Sequence, residues 1–256
     1  MSLEKFSVKD KVLFFTGGGG HIVGALVETF AAQGAICIST DFRSEKLDAQ
    51  KLTLRDRGLS LDVHTLDVTD ESQWKKISEE VFLKYGSVHG LINGAGINSP
   101  STFLEIEVDS FRSILDVNLV GTFLGCQAYG AKMIKQGFGS IVNISSTSAD
   151  PPLSKAFAYS ASKAGVTNLT KNVAREFGKT GVRVNSLRPG FFPTEWNKKN
   201  FLSEERIEAI LRHTPMGRFG IPDELSGAVQ WLLSDASQFV TGSEIVVDGG
   251  FSCQTI

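Results

Sequence analysis

Two side chains spaced four residues apart could together perform acid–base chemistry. Tyr159 and Lys163 lie in a stretch with helical periodicity, so their phenol and ammonium groups would project from one helix face. A free tyrosine titrates near pH 10, so proton transfer at pH 7 needs a pKa lowered by roughly three units, about 4 kcal/mol. A neighbouring lysine cation supplies a field of that sign. The same spacing also occurs in purely structural helices, so the pair alone does not identify a site.

A glycine-rich segment follows the first predicted strand, where residues 17–20 are all glycine and precede His21 and Ile22. Glycine lets backbone N–H groups approach a phosphate at a helix N-terminus, where the macrodipole favours an anion. The strict G-x-G-x-x-G fingerprint is absent, which leaves a structural turn as the alternative. The strand–turn–helix context favours a dinucleotide site.

Asp41 ends the second predicted strand, about 20 residues after the glycine-rich turn. Its carboxylate would accept hydrogen bonds from the ribose hydroxyls of the adenosine half and would repel a 2′-phosphate. The residue therefore predicts NAD in preference to NADP. Arg43, two residues later, keeps NADP open, and an exposed turn aspartate is the structural alternative.

Two more strand ends carry groups suited to this ligand. Asp67 and Val68 follow the third predicted strand, and Asn93, Gly94 and Ala95 close the fourth. The carboxyl ends of parallel strands form the ligand-binding edge of an open α/β sheet. We therefore expect these residues to line the same cofactor site.

The elements that must position these residues alternate along the chain. Short apolar runs predict strands at 11–16, 35–40, 61–66, 88–93, 139–144, 182–187 and 244–247. Apolar residues at three-to-four spacing predict helices at 22–33, 45–57, 71–85, 109–136, 156–177 and 222–234. This order predicts a doubly wound, seven-stranded parallel sheet with helices on both faces, a Rossmann fold. The irregular segment 191–215, with a short helical run at 203–213, has the character of a substrate lid.

Composition narrows the class of protein. With 41% apolar and 21% charged residues, the 256-residue chain is globular, and we expect one domain over residues 1–256. A net charge of −2 without a basic block argues against nucleic acid or an anionic membrane as partner. Three scattered cysteines predict neither disulfides nor a metal centre, and no signal peptide or membrane span is evident. We expect a cytoplasmic protein with a small-molecule substrate.

Further motifs agree with the Tyr159 and Lys163 pair in order, spacing and strand context. They are Thr16-Gly17, Asp67, Asn93-x-Ala95-Gly96, Asn118, Ser146 after Ile144-Ser145, and Arg188-Pro189-Gly190 with Thr194. Over essentially its whole length, the chain resembles the short-chain dehydrogenase/reductase family. The resemblance implies a reversible alcohol/carbonyl conversion in which a nicotinamide cofactor transfers the hydride.

The resemblance also implies a role for each catalytic position. Tyr159 would exchange a proton with the substrate oxygen, and Ser146 would donate a hydrogen bond to it. Lys163 would hold the nicotinamide ribose and lower the pKa of Tyr159, while Asn118 would anchor a water in a proton relay. Ser145 is the alternative to Ser146, which has the family's spacing of 13 residues before Tyr159.

Motifs and resemblance together predict a cofactor site and a substrate site. The cofactor residues are Gly17, Gly19, Gly20, His21, Ile22, Asp41, Asp67, Val68, Asn93, Gly94, Ala95, Tyr159, Lys163, Pro189, Phe192 and Thr194. Phe192, through its backbone, and Thr194 would orient the carboxamide. The substrate candidates are Asn98, Ser148 and Trp196, followed by Ser99, Asn197, Lys198 and Arg218. Arg188 is a further candidate, with a structural ion pair as its alternative.

Three positions depart from the family pattern. Family members usually have glycine where this chain has His21 and Val23, and asparagine where it has Gly94. The first departure puts the geometry of the pyrophosphate contacts in question, although Gly24 would restore close helix-to-strand packing. With the C-terminal motifs, this combination is similar to the sugar-acid branch of D-mannonate oxidoreductases and fructuronate reductases.

The leading interpretation is therefore an NAD-dependent oxidoreductase of a sugar acid or polyol. An NADPH-dependent 3-ketoacyl or small-ketone reductase is the alternative within enzymes, and a non-catalytic nucleotide-sensing scaffold is the remote one. The family also implies a homotetramer built from the helices predicted at 109–136 and 156–177 and the last strand.

Overall fold

The computed structural model describes residues 3–150, 153–194, 198 and 202–254. In these ranges seven strands form one parallel sheet with the order β3-β2-β1-β4-β5-β6-β7. The strands are β1 (Val12–Thr16), β2 (Ile36–Asp41), β3 (Asp62–Thr65), β4 (Gly90–Asn93), β5 (Gly139–Ile144), β6 (Val182–Pro189) and β7 (Glu244–Val247). The predicted doubly wound α/β fold is confirmed.

Helices cover both faces of this sheet. They are α1 (His21–Ala32), α2 (Ser44–Asp56), α3 (Glu71–Tyr85), α4 (Val108–Leu115), α5 (Gly121–Gln136), α6 (Phe157–Phe177), α7 (Glu204–His213) and α8 (Ser226–Leu233). Each overlaps a stretch that the sequence predicts to be helical. The Asp70 side chain begins α3 by accepting hydrogen bonds from the backbone N–H groups of Ser72 and Gln73.

Central strand β1 is buried on both sides, and its side chains alternate between two cores. Leu13 and Phe15 pack into the core that contains Phe30 of α1. Phe14 faces the opposite core and lies 4.5 Å, centroid to centroid, from the ring of Tyr129 in α5. An almost wholly apolar strand is the expected solution when helices cover both faces of a parallel sheet.

The helix predicted at 109–136 is interrupted in the structure. A single π-helical turn, Asp116–Val120, separates α4 from α5, so the prediction of one continuous helix is wrong at this point. Asn118 lies in this turn with its side chain fully buried. Because apolar spacing continues through the turn, periodicity alone did not reveal it. Such turns are frequent at functional sites.

No helix within the described ranges is long and apolar enough to cross a membrane. Part of the predicted lid is described, namely residues 191–194, Lys198 and the segment from residue 202 that leads into α7. Trp196 and Asn197, two substrate candidates, lie outside the described residues.

Candidate active site

The carboxyl ends of the central strands open onto two adjoining cavities. A cavity of about 1320 Å³ runs along the glycine-rich turn, the ends of β2, β3 and β4, and the catalytic helix α6; we call it the cofactor cavity. A second, of about 920 Å³, lies between residues 96–100, the loop before α6, and α7; we call it the substrate cavity. Both are lined by Gly96, Ile97, Tyr159 and Phe192, so they share one wall.

Thr16 joins the end of β1 to the loop after β4. Its hydroxyl accepts hydrogen bonds from the backbone N–H groups of Gly94 at 3.0 Å and Ala95 at 3.2 Å. Gly17 follows with a φ of +77°, and a Cβ at this position would lie 2.8 Å from Ala95 Cα. Only glycine satisfies both the positive φ and the close backbone approach. The turn therefore leaves open space beside the N-terminus of α1, and no side chain caps that N-terminus.

Asp41 lies beside the same turn, buried at the end of β2. Its Oδ2 accepts from the Gly19 backbone N–H at 3.2 Å, and its Oδ1 accepts from Arg43 N at 3.0 Å and Nε at 3.1 Å. The bond with Asp41 raises the pKa of the Arg43 guanidinium. A negative group and a positive group thus lie side by side where the adenosine ribose of a dinucleotide would bind.

Val23 and Gly94, two of the departures from the family pattern, are packed against each other. A Cβ added to Gly94 would overlap Val23 Cγ2 and would lie 3.1 Å from the Thr16 carbonyl oxygen. The valine methyl therefore occupies the space that a side chain at residue 94 would need. The two substitutions compensate for each other, which the sequence could not show because 71 positions separate them.

The α6 helix presents Tyr159 and Lys163 together. Lys163 is 3% exposed, and its Nζ donates to the Ile144 carbonyl oxygen at 2.7 Å and lies 5.6 Å from the Tyr159 ring centroid. Burial lowers the pKa of Lys163 to about 8. Burial also raises the pKa of Tyr159, against the opposing effect of a hydrogen bond with Ser146. Desolvation of the phenolate therefore outweighs the lowering of the Tyr159 pKa that the sequence predicts.

Ser146 lines the substrate cavity, and two hydrogen bonds fix the direction of its hydroxyl. Its Oγ accepts from the N–H and from the hydroxyl of Ser148, both at 3.1 Å. With these acceptor positions filled, the Ser146 proton is the group left to donate toward Tyr159 or a substrate oxygen. Ser145 is turned away, since its hydroxyl donates to the Lys163 carbonyl oxygen at 3.0 Å. Of the two serines, only Ser146 reaches the cavity.

Asn118 braces the wall that the cavities share. Its Oδ1 accepts from Ile97 N at 2.8 Å, and its Nδ2 donates to the Ile97 carbonyl oxygen and Ser162 Oγ, both at 3.0 Å. The backbone carbonyl of Asn118 accepts from Thr122 Oγ1 at 2.8 Å. The side chain thus positions the loop after β4, and a water held in a proton relay stays a prediction.

The structure separates the remaining site candidates. Predicted residues that line the cofactor cavity are Gly17, Gly20, His21, Ile22, Asp41, Asp67, Val68, Gly94, Ala95, Tyr159, Lys163 and Phe192. Asn98 lines the substrate cavity. Predicted residues that line neither cavity include Gly19, Asn93, Ser99, Asn118, Ser148, Pro189 and Thr194.

Physical reasons account for three of these differences. The Asn93 amide donates to Asn143 Oδ1 at 2.9 Å within the buried interior, so its side chain does not face a ligand. Ser148 is folded back onto Ser146 by a short 3₁₀ turn and is only 2% exposed, which corrects its prediction as a substrate residue. Gly19 acts indirectly, through its hydrogen bond to Asp41.

Other candidates have structural partners. Arg188 Nη1 donates to Glu244 Oε2 at 2.9 Å, so the ion-pair alternative describes it. Arg218 forms a two-pronged pair with Glu224, at 2.9 and 2.6 Å. Lys198 Nζ lies 5.6 Å from the centroid of the Phe219 ring.

Sequence reasoning missed several cavity-lining residues. Arg112, Ser113 and Asp116 face the cofactor cavity from α4 and the π turn, and Lys155 and Arg206 face the substrate cavity. These residues lie on loops and helix faces, and no local motif in the sequence shows that they face a cavity.

Comparisons with known proteins identify the family. A family model described as "Enoyl-(Acyl carrier protein) reductase" matches residues 21–252. A 3-oxoacyl-[acyl-carrier-protein] reductase FabG from Thermotoga maritima is 38% identical over 95% of this chain and 98% of its own length. The chain belongs to the short-chain dehydrogenase/reductase family. It is an oxidoreductase of CH–OH groups with NAD(P) as cofactor.

Two further members show how widely the names in this family range. A D-threitol dehydrogenase from Mycolicibacterium smegmatis is 35% identical over 96% of this chain and 95% of its own. A crystal structure of a gluconate 5-dehydrogenase from Burkholderia cenocepacia in complex with NADP and tartrate has a TM-score of 0.94 and 32% identity, covering 100% of both chains. The narrower D-mannonate oxidoreductase branch is not supported by these comparisons.

The residues on the cofactor cavity fit a nicotinamide dinucleotide. The uncapped α1 N-terminus suits a pyrophosphate, and Asp41 and Arg43 lie where the adenosine ribose would bind. A Cβ at Gly96 would lie 3.3 Å from Asn118 Oδ1 and 3.5 Å from Lys163 Nζ, so glycine keeps this end open for the nicotinamide ribose.

The packing of Val23 against Gly94 predicts a coupled pair of substitutions. We expect Gly94→Ala to lower the free energy of unfolding by about 1 to 3 kcal/mol, because the added methyl overpacks the site. Val23→Ala in the same chain removes the overlapping methyl. The double variant should therefore lose less free energy of unfolding than the sum of the two single losses. Urea unfolding of the four proteins measures the coupling.

Gly227→Ala in α8 is the matched control for this cycle, since nothing lies within 4 Å of a Cβ there. It should be neutral or stabilising. Simple additivity of the Val23 and Gly94 effects would contradict the proposed compensation.

Burial of Lys163 predicts a pH-dependent stability of the ligand-free protein. The folded-state pKa is about 8 and the reference value is 10.5, so the unfolded state binds more protons between these values. Lys163 should therefore add about 3 kcal/mol to the free energy of unfolding as pH increases through this window, whereas the buried thiols of Cys37 and Cys126, with a pKa of about 12, contribute in the opposite direction. Lys163→Met should be more stable than the wild type at pH 7, and this difference should disappear as pH rises to 10.

Urea unfolding at pH 7, 8, 9 and 10 measures this dependence. Lys179→Met, which removes an exposed lysine just after α6, is the control and should retain the wild-type slope. Equal slopes for Lys163→Met and the wild type would show that Lys163 is not the titrating group.

Proposed function

We propose that this enzyme interconverts a secondary alcohol and a ketone on a sugar acid or polyol, with NAD as the preferred cofactor. The observation that carries the proposal is the placement of Ser146 and Tyr159 in the substrate cavity, where Tyr159 also faces the cofactor cavity and Asn98 and Ser154 add polar groups to the lining. The likeness to a D-threitol dehydrogenase and a gluconate 5-dehydrogenase supports polyhydroxylated substrates.

Tyr159 and Ser146 act on the substrate oxygen. In the oxidation direction, Tyr159 takes the hydroxyl proton as the C–H hydride leaves, and in reduction it returns a proton to the new alkoxide. Ser146 donates a hydrogen bond to the same oxygen, where negative charge develops. Ser148 keeps the Ser146 proton directed at that oxygen by filling its acceptor positions. The nicotinamide supplies or accepts the hydride.

Lys163 acts through its charge and position. Its ammonium is held by the Ile144 carbonyl at the end of β5 and faces the cofactor cavity. There it would donate to the ribose of a bound nicotinamide cofactor, and its charge would stabilise the tyrosinate that forms when Tyr159 loses its proton. Below about pH 8 the ammonium form predominates, which is the form this role requires.

Asp41 supports NAD as the preferred cofactor. Its buried carboxylate faces the cofactor cavity and would repel a 2′-phosphate, whereas the acceptor position that remains on Oδ2 suits a ribose hydroxyl. Arg43 opposes this preference, and the similar gluconate 5-dehydrogenase was solved with NADP. The ion pair with Asp41 engages Arg43 Nε and thereby limits its pull on a phosphate.

One relative supports a second candidate function. The similarity to a 3-oxoacyl-[acyl-carrier-protein] reductase favours a 3-ketoacyl thioester as substrate. The discriminating experiment is a panel of D-mannonate, D-gluconate, D-glucitol and D-threitol with NAD, and a 3-ketoacyl thioester with NADPH. Turnover of a sugar acid or polyol supports the proposal, and turnover of the thioester alone would replace it with the reductase.

The helices that the family places in a homotetramer carry exposed apolar side chains. Val120 at the end of the π turn, Phe123 near the start of α5 and Phe157 at the start of α6 are 40 to 44% exposed. The homotetramer is a proposal that this apolar surface supports.

Tyr159→Phe tests the catalytic assignment. Loss of the phenolic proton should reduce kcat by about 100- to 10,000-fold, while NADH binding and the melting temperature stay within error. Steady-state assays on the best panel substrate measure the loss. Tyr85→Phe removes a hydroxyl that hydrogen-bonds Asp62 away from both cavities and should retain full activity. Unchanged turnover by a folded Tyr159→Phe protein would refute the assignment.

Asp41→Asn tests the cofactor preference. The wild type should bind NADH more tightly than NADPH, and removal of the negative charge should shift the ratio of dissociation constants toward NADPH by about tenfold. Calorimetric titration with each cofactor gives the ratio. Asp48→Asn, an exposed position on α2, should leave it unchanged. Tighter binding of NADPH by the wild type would overturn the preference for NAD.

A further inference from the structure

The substrate cavity contains an excess of positive charge. Apart from Tyr159, the ionisable side chains among its described lining residues are Lys155, Glu205 and Arg206. Within the described residues neither Lys155 nor Arg206 forms an ion pair, whereas Arg43, Arg188 and Arg218 each pair with a carboxylate. Two cations and one carboxylate, which are not paired with one another, give the wall of this cavity a net positive charge that suits an anionic group.

Arg206 is fixed in place by neutral groups. Its Nη1 donates to Ser154 Oγ at 2.6 Å, and its Nη2 donates to the Ser154 carbonyl oxygen at 3.3 Å. Its backbone N–H donates to Ser203 Oγ, the N-cap of α7, at 3.2 Å. A guanidinium has five N–H donors, and these bonds leave several of them free in the fork geometry that a carboxylate matches. The side chain is thus oriented while its charge stays uncompensated.

Lys155 reaches the same cavity from a strained backbone. Its φ is +58°, in the left-handed region that non-glycine residues seldom occupy. The strain lies in the loop between the Ser146 turn and α6, four residues before Tyr159. Strained residues persist where the surrounding structure requires them, often at ligand sites. The loop therefore brings Lys155 to the cavity that Tyr159 lines. Ser154 of the same loop orients Arg206 from α7.

We infer that Arg206, assisted by Lys155, binds the carboxylate of the substrate, so that the enzyme selects sugar acids over neutral polyols. The inference rests on the proposed function and narrows it to one substrate class. Ser146 and Tyr159 hold the reacting oxygen, and Arg206 and Lys155 hold the carboxylate in the same cavity. Arg206 also links α7 to the loop before α6. An acidic substrate held by Arg206 and Tyr159 therefore contacts both α7 and α6.

A pair of substrates that differ only at the terminal carbon tests this specificity. D-Gluconate carries the carboxylate, and D-glucitol has a hydroxymethyl group in its place. Arg206→Gln should lower kcat/KM for D-gluconate by about 10- to 100-fold, mainly through KM, since one charge-assisted pair is lost. The value for D-glucitol should change by less than about threefold, since no charge is recognised. Lys155→Gln should show the same selectivity with a smaller loss.

Two further variants separate charge recognition from packing. Arg206→Lys keeps the charge and should recover part of the D-gluconate activity. Arg212→Gln removes an exposed arginine on the same helix that does not line the cavity, and should alter neither substrate. Equal losses of Arg206→Gln on both substrates, or an equal effect of Arg212→Gln, would overturn the inference.

A binding measurement keeps this test independent of turnover. D-Gluconate is titrated by calorimetry into the wild type and Arg206→Gln in the presence of NADH. Weaker binding to the variant by about tenfold or more supports the inference even if D-gluconate is not oxidised. Undetectable binding to the wild type, or equal binding to both proteins, would refute it. Failure of the proposed function would appear separately, as absence of turnover on the whole panel of acids and polyols.

Discussion

The buried ammonium of Lys163 is the constraint on which the rest of the site depends. It is withdrawn from water with no carboxylate partner among the described residues, and it donates a hydrogen bond to the carbonyl oxygen of Ile144. An uncompensated buried cation is tolerated only where the protein fixes acceptors around it and where a ligand uses its charge. The end of β5, the start of α6 and the Ser145 hydroxyl that binds the Lys163 carbonyl are arranged to satisfy this requirement.

The fold followed from the sequence because its signals are local and repeated. Strands such as β1 are short and apolar, and each strand from β1 to β6 precedes a helix with three-to-four periodicity. The catalytic pair was equally accessible, since Tyr159 and Lys163 need only share a helix face. A glycine that must adopt a positive φ, such as Gly17 at +77°, can also be recognised in the sequence, because other residues seldom adopt that conformation. These features depend on neighbours in the chain.

What the sequence could not show depends on contacts between distant segments. Asn93 and Gly94 are adjacent at the end of β4, yet the first points into the interior and the second lines the cofactor cavity. Arg206 meets Ser154 across 52 positions, and Arg188 meets Glu244 across 56. The π turn at Asn118 was hidden because the apolar spacing continues through it. Val23 and Gly94 each depart from the family pattern, and in the structure the valine methyl fills the space that a side chain at residue 94 would need.

The wall common to both cavities links the two binding events thermodynamically. Gly96, Ile97, Tyr159 and Phe192 face each cavity, and Asn118 fastens this wall through Ile97. Any change that one ligand imposes on these residues alters the free energy of binding the other, and the coupling has the same size in either order. Because Tyr159 and Phe192 face both cavities, substrate affinity is a quantity to measure on the cofactor complex, where both faces of this wall are occupied.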